Sequence, residues 1–309
     1  MMYVRGLLIT GIVFSIISIQ AQPVRYASNV QRLFFCHSNA GPSFSKILAK
    51  AGDRNTLYIT NDDIDIDNDG KANLSDFKKA VELKVANKNY SGIVTIDWEG
   101  VGYNYLKFAT RVRKDSADFI INEYLKLIRI GKQLLPKAQW GIYDIPFATY
   151  WSWLSDTWKQ RIDLMDRLLK EVDVLMPCLY DYYPASTTIG KQYDSLYITQ
   201  CLQKSLQKSV QFKKPVMVWV WHRYHDYIEA SGLQLIDTTE FIQHMRWIAQ
   251  VQYKGKRVQG VIWWHEDLYF LRIKKPVLVA EQGQKTEQQF LDDAITPYYR
   301  LLTQVFKDQ

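Results

Sequence analysis

Residues Tyr90 to Glu99 read YSGIVTIDWE, and the fold follows from how this stretch is read. Its centre, Gly92–Asp97 (GIVTID), is apolar almost without interruption, which marks a strand covered on both faces, as in a parallel sheet. Six further runs share this character: Arg32–Cys36 (RLFFC), Thr56–Thr60 (TLYIT), Trp140–Asp144 (WGIYD), Val172–Tyr180 (VDVLMPCLY), Val216–Trp221 (VMVWVW) and Val258–Trp264 (VQGVIWW). Between them apolar residues recur at helical spacing, most clearly over 117–135 and 158–169, and again over 193–210, 238–251 and 288–306. Strand and helix in regular alternation predict βαβ units. No Pro- or Ser-rich linker and no internal repeat breaks the series. The expected fold class is α/β: a single distorted TIM-like (β/α) barrel of seven or eight parallel strands, filling residues 22–309. In such barrels the chemistry sits where strands end and βα loops begin.

Composition agrees with a large soluble core. Of 309 residues, 47% are hydrophobic and 23% charged, which excludes a disordered chain and a disulfide-stapled miniprotein. Twenty Tyr, 13 Phe and 10 Trp make the chain rich in flat side chains that suit both cores and sugar-stacking clefts. The first 21 residues read as a secretory signal: Arg5, an uncharged apolar run from Gly6 to Ile19, and Ala21 before a polar segment. The run is short for a spanning helix. An exported protein, periplasmic or secreted, is expected, with no membrane contact once the signal is removed. Cys36, Cys178 and Cys201 lack metal or redox spacing and are expected to be buried thiols.

Two carboxylates, Asp97 and Glu99, stand two residues apart at the end of the third strand, so they project to the same side of the barrel mouth. Close carboxylates cannot both ionise cheaply, so one keeps its proton toward neutral pH. A protonated Glu beside an ionised Asp can act as a general acid on a glycosidic oxygen. The pair is too close in sequence for acid and nucleophile on opposite faces of a sugar. It suits a reaction in which the substrate's own 2-acetamido group attacks the anomeric carbon while Asp97 orients and stabilises it.

The segment from Tyr90 to Glu99 resembles the catalytic segment of the hyaluronidase-type glycoside hydrolases, family 56. Further matches follow in the family's order: Leu135-Pro136 with Trp140-Gly141-Ile142-Tyr143 and Pro146, then Met176-Pro177-Cys178-Leu179-Tyr180, Pro215 to Val220 around Trp219, and Gly260 to Trp264. The resemblance implies a distorted seven-strand barrel, Glu99 as proton donor, Asp97 as the residue positioning the acetamido group, Tyr180 bonding that group and Trp264 flooring the sugar subsite. Tyr143 and Trp219 fall beside them. The chain departs from the family after Glu99, where Gly100-Val101-Gly102-Tyr103-Asn104-Tyr105 replaces the usual aromatic-Arg-Pro; Trp219 replaces a Tyr, and the family's disulfides cannot form. The expected function is an exported retaining endo-N-acetylhexosaminidase acting on a hyaluronan- or chondroitin-like polysaccharide. The alternatives are a chitinase-like family 18 enzyme, against which Gly92 and Thr95 stand where that family has Asp, and a non-catalytic glycan-binding barrel.

Between the second and third strands, Asp65, Asp67 and Asp69 precede Gly70, with Lys71 and Asp76 at positions seven and twelve. This spacing fits a calcium loop and resembles those of dockerin and EF-hand modules, Lys71 serving through its backbone carbonyl. A structural calcium and no catalytic cofactor are expected. His222 and His225 lack a third ligand by spacing and read as a surface loop. No nucleophile elbow, H-E-x-x-H or phosphate loop occurs. The net charge of +7 would favour an anionic polysaccharide, the basic residues form no nucleic-acid module, and a monomer is expected.

Overall fold

The computed structural model describes residues 31–37, 41–51, 54, 56–153 and 155–307; the signal segment, 1–21, lies outside them. Parallel strands and helices alternate from the start. In chain order these are β1 (Arg32–His37), α1 (Pro42–Ala51), β2 (Leu57–Thr60), α2 (Asn61–Ile64), α3 (Leu74–Lys84), β3 (Ile93–Asp97), α4 (Val101–Phe108), α5 (Lys114–Leu134) and β4 (Gln139–Ile142). There follow α6 (Asp156–Leu164), α7 (Asp166–Glu171), α8 (Thr188–Phe212), β5 (Met217–Val220), α9 (Thr238–Gln250), a hairpin of β6 (Gln252–Tyr253) and β7 (Lys256–Arg257), then β8 (Gly260–His265), α10 (Asp267–Arg272), α11 (Pro276–Gln282) and α12 (Glu287–Val305).

Six strands form two three-stranded parallel sheets, in the orders β1-β8-β5 and β2-β3-β4. Ile93, Val94 and Ile96 of β3 are fully buried, as an uninterrupted apolar strand requires. Gly141 in β4 lets the Met176 side chain lie close against the strand, since a Cβ there would stand 2.4 Å from Met176 Cε and push it aside.

Among the described residues, six regular parallel strands stand where seven or eight were expected. The run Val172–Tyr180 makes isolated bridges instead: Met176 with Tyr143, Leu175 with Val216, and Cys178 with Trp219. Pro177 and Pro215 supply no N–H, which breaks a continuous ladder at this position. The segment still lies between β4 and β5, with the Asp173 N–H donating to Trp140 O (2.7 Å) and the Met217 N–H to Leu175 O (2.9 Å). Between β1 and β2 the Thr56 N–H donates to Phe35 O at 2.6 Å. The C-terminal segment returns to β1, where Leu33 donates to Lys307 O at 2.8 Å. Since all six strands are parallel within their sheets, their C-terminal ends gather on one side: His37, Thr60, Asp97, Tyr143, Trp221 and Trp264 lie at or within one residue of them, and Tyr180 follows the bridged segment between β4 and β5. Among the described residues, no helix is long and apolar enough to cross a membrane. Cys36 and Cys201 are buried free thiols, as expected, while Cys178 is free but only half-buried.

Candidate active site at the strand ends

Asp97 closes β3 and Glu99 follows it, with Trp98 turned the opposite way, as strand alternation demands. The Trp98 ring packs on Tyr124 with centroids 5.1 Å apart, and its backbone carbonyl accepts the Tyr124 hydroxyl at 2.6 Å. This anchors the turn from beneath and leaves Asp97 and Glu99 facing the mouth. Asp97 Oδ1 is buried and has no hydrogen-bond partner. Burial, reinforced by the neighbouring Glu99 charge, raises the Asp97 pKa strongly. Glu99 reaches solvent at the rim, yet the protein around it, and then Asp144, raise its pKa as well, while Lys107, Tyr103 and His225 work in the other direction. Both carboxyls are therefore biased toward holding a proton. Read from sequence, that bias falls on Glu99 alone; the deeper position of Asp97 extends it to both.

Asp144, just past β4, organises the other flank. Its Oδ1 accepts the backbone N–H groups of Ala148 and Cys178, both at 3.1 Å, and its Oδ2 accepts the Tyr103 hydroxyl (2.8 Å) and pairs with Lys107. Tyr103 and Lys107 are one turn apart on α4, the helix formed where the sequence leaves the family pattern after Glu99. These three residues were missed from sequence. Their signal was Asp144's place at the end of a strand that also carries Tyr143.

An aromatic wall completes the mouth. Tyr180 lies flat on Trp264 (5.6 Å, 12°), Trp221 meets both, and Phe270 stacks on Trp221 (5.5 Å, 27°). Tyr143 stands edge-on to Trp219 (5.3 Å, 84°) and its hydroxyl donates to Cys178 Sγ at 3.2 Å. All four sequence-predicted aromatics thus fall in one continuous cluster, but it is Trp221, not Trp219, that touches Tyr180 and Trp264. Strand alternation from Trp219 would have pointed to Trp221. The indole N–H groups of Trp219 and Trp221 are buried donors without acceptors among the described residues.

The acidic loop is locked onto the turn that bears Glu99. Asp65 accepts three N–H groups: Asp69 on Oδ1, and Gly70 and the Trp98 indole on Oδ2, at 3.0, 3.0 and 3.1 Å. Asn68 Oδ1 accepts the Val101 N–H (3.1 Å), and Gly70, at φ 81°, sits where a Cβ would lie 2.9 Å from the Val101 side chain. Oxygens of Asp65, Asp67 and Asp69 lie within 4.8 Å of one another, a span that one cation bridges. Asp76 is not part of that group: it starts α3 and binds Asn73 Nδ2 (2.7 Å) and Lys79 (3.2 Å). Lys71 turns its ammonium onto Asp69, 3.1 Å away.

His222 is a correction. It is not on a surface loop but wholly buried behind the wall, with His265 and Asp267. The third partner comes from 45 residues downstream, brought there by the pairing of β5 with β8.

No protein-family model and no curated protein matches the chain. Among solved structures the chain is similar to bee venom hyaluronidase, with 13% identity and a TM-score of 0.56 over 84% of this chain and 99% of that one. The same bee enzyme in complex with a hyaluronic acid tetramer gives 15% identity and a TM-score of 0.54, over 85% and 99% of the two chains. At such identities the likeness is one of backbone architecture, and it agrees with the α/β alternation of parallel strands: the chain has a hyaluronidase-like fold.

Proposed function

We propose that the chain is an exported glycoside hydrolase that cleaves beside an N-acetylhexosamine, in a hyaluronan- or chondroitin-like polysaccharide, with retention of configuration. The observation that carries this reading is Asp97: a carboxylate with a buried, unpartnered oxygen beside Glu99, beneath a wall of sugar-sized aromatic rings. A lone buried acceptor of that kind costs stability unless something donates to it. An acetamido N–H is such a donor.

In the first step Glu99 gives its proton to the glycosidic oxygen as the leaving sugar departs, and the acetamido carbonyl oxygen bonds to the anomeric carbon. The pair carries a single proton in this step, on Glu99, so Asp97 is the carboxylate that accepts the acetamido N–H and stabilises the positive charge of the ring so formed. Tyr180 donates to the acetamido carbonyl, and Trp264 holds the apolar face of the sugar. Glu99, now ionised, takes a proton from water, whose oxygen attacks the anomeric carbon and reopens the ring. Two inversions give net retention. The +7 charge favours a uronate-bearing polymer. We further propose that Asp65, Asp67 and Asp69 hold a structural calcium that braces the turn bearing Glu99.

Glu99→Gln keeps the shape and removes the proton, so turnover on hyaluronan or chondroitin should fall by roughly two to four orders of magnitude. Binding of oligosaccharide should persist. Substrates without a 2-acetamido group should be nearly inert, and a thiazoline mimic of the cyclised intermediate should inhibit. Wild-type turnover in Glu99→Gln would overturn the catalytic assignment and leave a glycan-binding barrel; cleavage of chitin oligomers alone would move the substrate to the neutral class.

A further inference from the structure

Helices α8 and α9 pack together and gather a second set of ionisable side chains, away from the strand-end carboxylates. Glu240 and His244 stand one turn apart on α9 and so share a face. Asp194 meets them from α8. Its Oδ1 accepts the Tyr150 hydroxyl at 2.5 Å, while Oδ2 has no hydrogen-bond partner although the residue is only 3% exposed. His244 Nδ1 lies 2.7 Å from Asp181 Oδ1, and His244 Nε2 lies 4.0 Å from Asp194 Oδ2. That second gap is too long for a hydrogen bond. It is a gap that two metal–ligand bonds of about 2.1 Å each can span. One ligand atom from each of Asp194, Glu240 and His244 falls within a 4.8 Å group.

We propose that His244 Nε2, Asp194 Oδ2 and a carboxylate oxygen of Glu240 bind a divalent ion of the zinc type. Asp181 would be the outer partner: its Oδ1 lies close to Nδ1 but off the line of the ring N–H, and its charge favours the ring proton on that nitrogen, which leaves the Nε2 lone pair for the metal, as is usual behind a ligating histidine. Glu240 is already oriented by the Tyr224 hydroxyl (2.8 Å) and the Ala185 N–H (2.9 Å). Three carboxylates, Asp181, Asp194 and Glu240, surround one imidazole, an excess of negative charge that a dication relieves. Glu240 also lines an open cleft of about 820 Å³, with Tyr224, Asp237 and Arg246 on its walls, so one of the three ligands borders solvent. Asp181 directly follows Tyr180, so the ion ties α8 and α9 to the segment behind the aromatic wall.

The other histidine–carboxylate trio among the described residues, His222, His265 and Asp267, cannot serve in this way. The Trp263 indole N–H donates to His222 Nδ1 at 3.2 Å, so the ring proton sits on Nε2, facing Asp267. Arg223 places its guanidinium 2.6 Å from the same carboxylate. A dication would meet a proton and a fixed cation there.

The test uses the full chain carrying Asp67→Ala, so that the acidic loop does not compete, stripped with chelator and titrated with zinc chloride by calorimetry at neutral pH. One equivalent should bind, and at 100 times Kd the Tm should rise by roughly 5 °C. His244→Gln and Glu240→Gln should each weaken binding at least about 100-fold. Glu240→Gln retains an acceptor for Tyr224 and Ala185, so it reports on the metal rather than on folding. Cobalt(II) should give visible absorption bands that both variants lose. No zinc uptake, or equal affinity in Glu240→Gln, would overturn the proposal and leave His244 as an imidazolium between two carboxylates.

Discussion

Asp97 and Asp267 are both acidic residues at the C-terminal ends of strands, both withdrawn from water, and they are treated in opposite ways. Asp267 is surrounded by donors: Arg223 Nε and Nη2 donate to its Oδ2 at 2.8 and 2.6 Å, and His222 Nε2 lies 3.3 Å away. Burial alone would raise its pKa, but His222 and Arg223 outweigh burial and hold it well below the usual carboxylate range. Asp97 has no such partner, and burial together with Glu99 pushes it up. One carboxylate is spent on holding β5, β8 and α10 together. The other is left short of partners where a substrate can supply one. Partner supply, rather than residue type or depth, separates buttress from reactive group.

The comparison breaks first, if it breaks at all, at Arg223. Its guanidinium also binds Glu281 Oε2 and the Leu233 carbonyl, both at 2.8 Å, so four elements converge on one side chain. Arg223→Met leaves Asp267 buried without its cation, and such a loss costs about 3–5 kcal/mol. Chemical denaturation should show that drop at neutral pH. A loss below about 1 kcal/mol would mean that Asp267 is not a buttress.

Asp97→Asn should do the reverse. It removes an acid that resists ionising in the folded chain, so stability should rise by about 2 kcal/mol at pH 8 while turnover collapses. The sign follows from linkage. A raised folded pKa means that the native state holds its proton where the unfolded chain has released it, so wild type loses stability as pH climbs from about 4 toward the folded pKa. The gap between Asp97→Asn and wild type should therefore be near zero at pH 4 and widen toward pH 8. For Asp267 the folded pKa is depressed, so its stabilisation is present above about pH 4 and is lost only in stronger acid. Melting curves at four or five pH values separate the two; a pH-independent gap would show Asp97 to be an ordinary surface acid.

These two regions also differ in how far they could be read from sequence. Asp97 and Glu99 were legible because everything that places them is local: an apolar strand, its end, and a spacing of two. Tyr180 and Trp264 were legible for the same reason, each closing an apolar run. The Arg223–Asp267–Glu281 cluster was not, since its members meet only after β5 has paired with β8 and α11 has folded back; His222 looked like a loop residue for want of a partner 45 positions away. Lys107 and Asp144 were hidden likewise by 37 residues of separation. The Val172–Tyr180 run kept its place between β4 and β5 but lost its ladder to prolines, which hydrophobicity alone does not register.

A third buried aspartate sharpens the comparison at the smallest scale. Asp65 is 1% exposed and faces no cation within its hydrogen-bond shell, yet both of its oxygens are occupied by N–H donors from Asp69, Gly70 and Trp98. It stands between Asp267, which has full charges opposite it, and Asp97, which has an oxygen unserved. Its neighbours Asp67 and Asp69 are exposed, and Asp69 already holds Lys71. Asp67→Ala should therefore change stability by no more than about 0.5 kcal/mol in chelator. With calcium at four times Kd, wild type should gain about 1 kcal/mol and Asp67→Ala nothing. Because Trp98 donates to Asp65 directly beneath Glu99, the same calcium should also slow hydrogen exchange at the Trp98 indole N–H. If calcium leaves both the melting curve and that exchange rate unchanged, the loop is braced by its N–H groups alone, and Asp65 joins Asp267 as a purely structural acid.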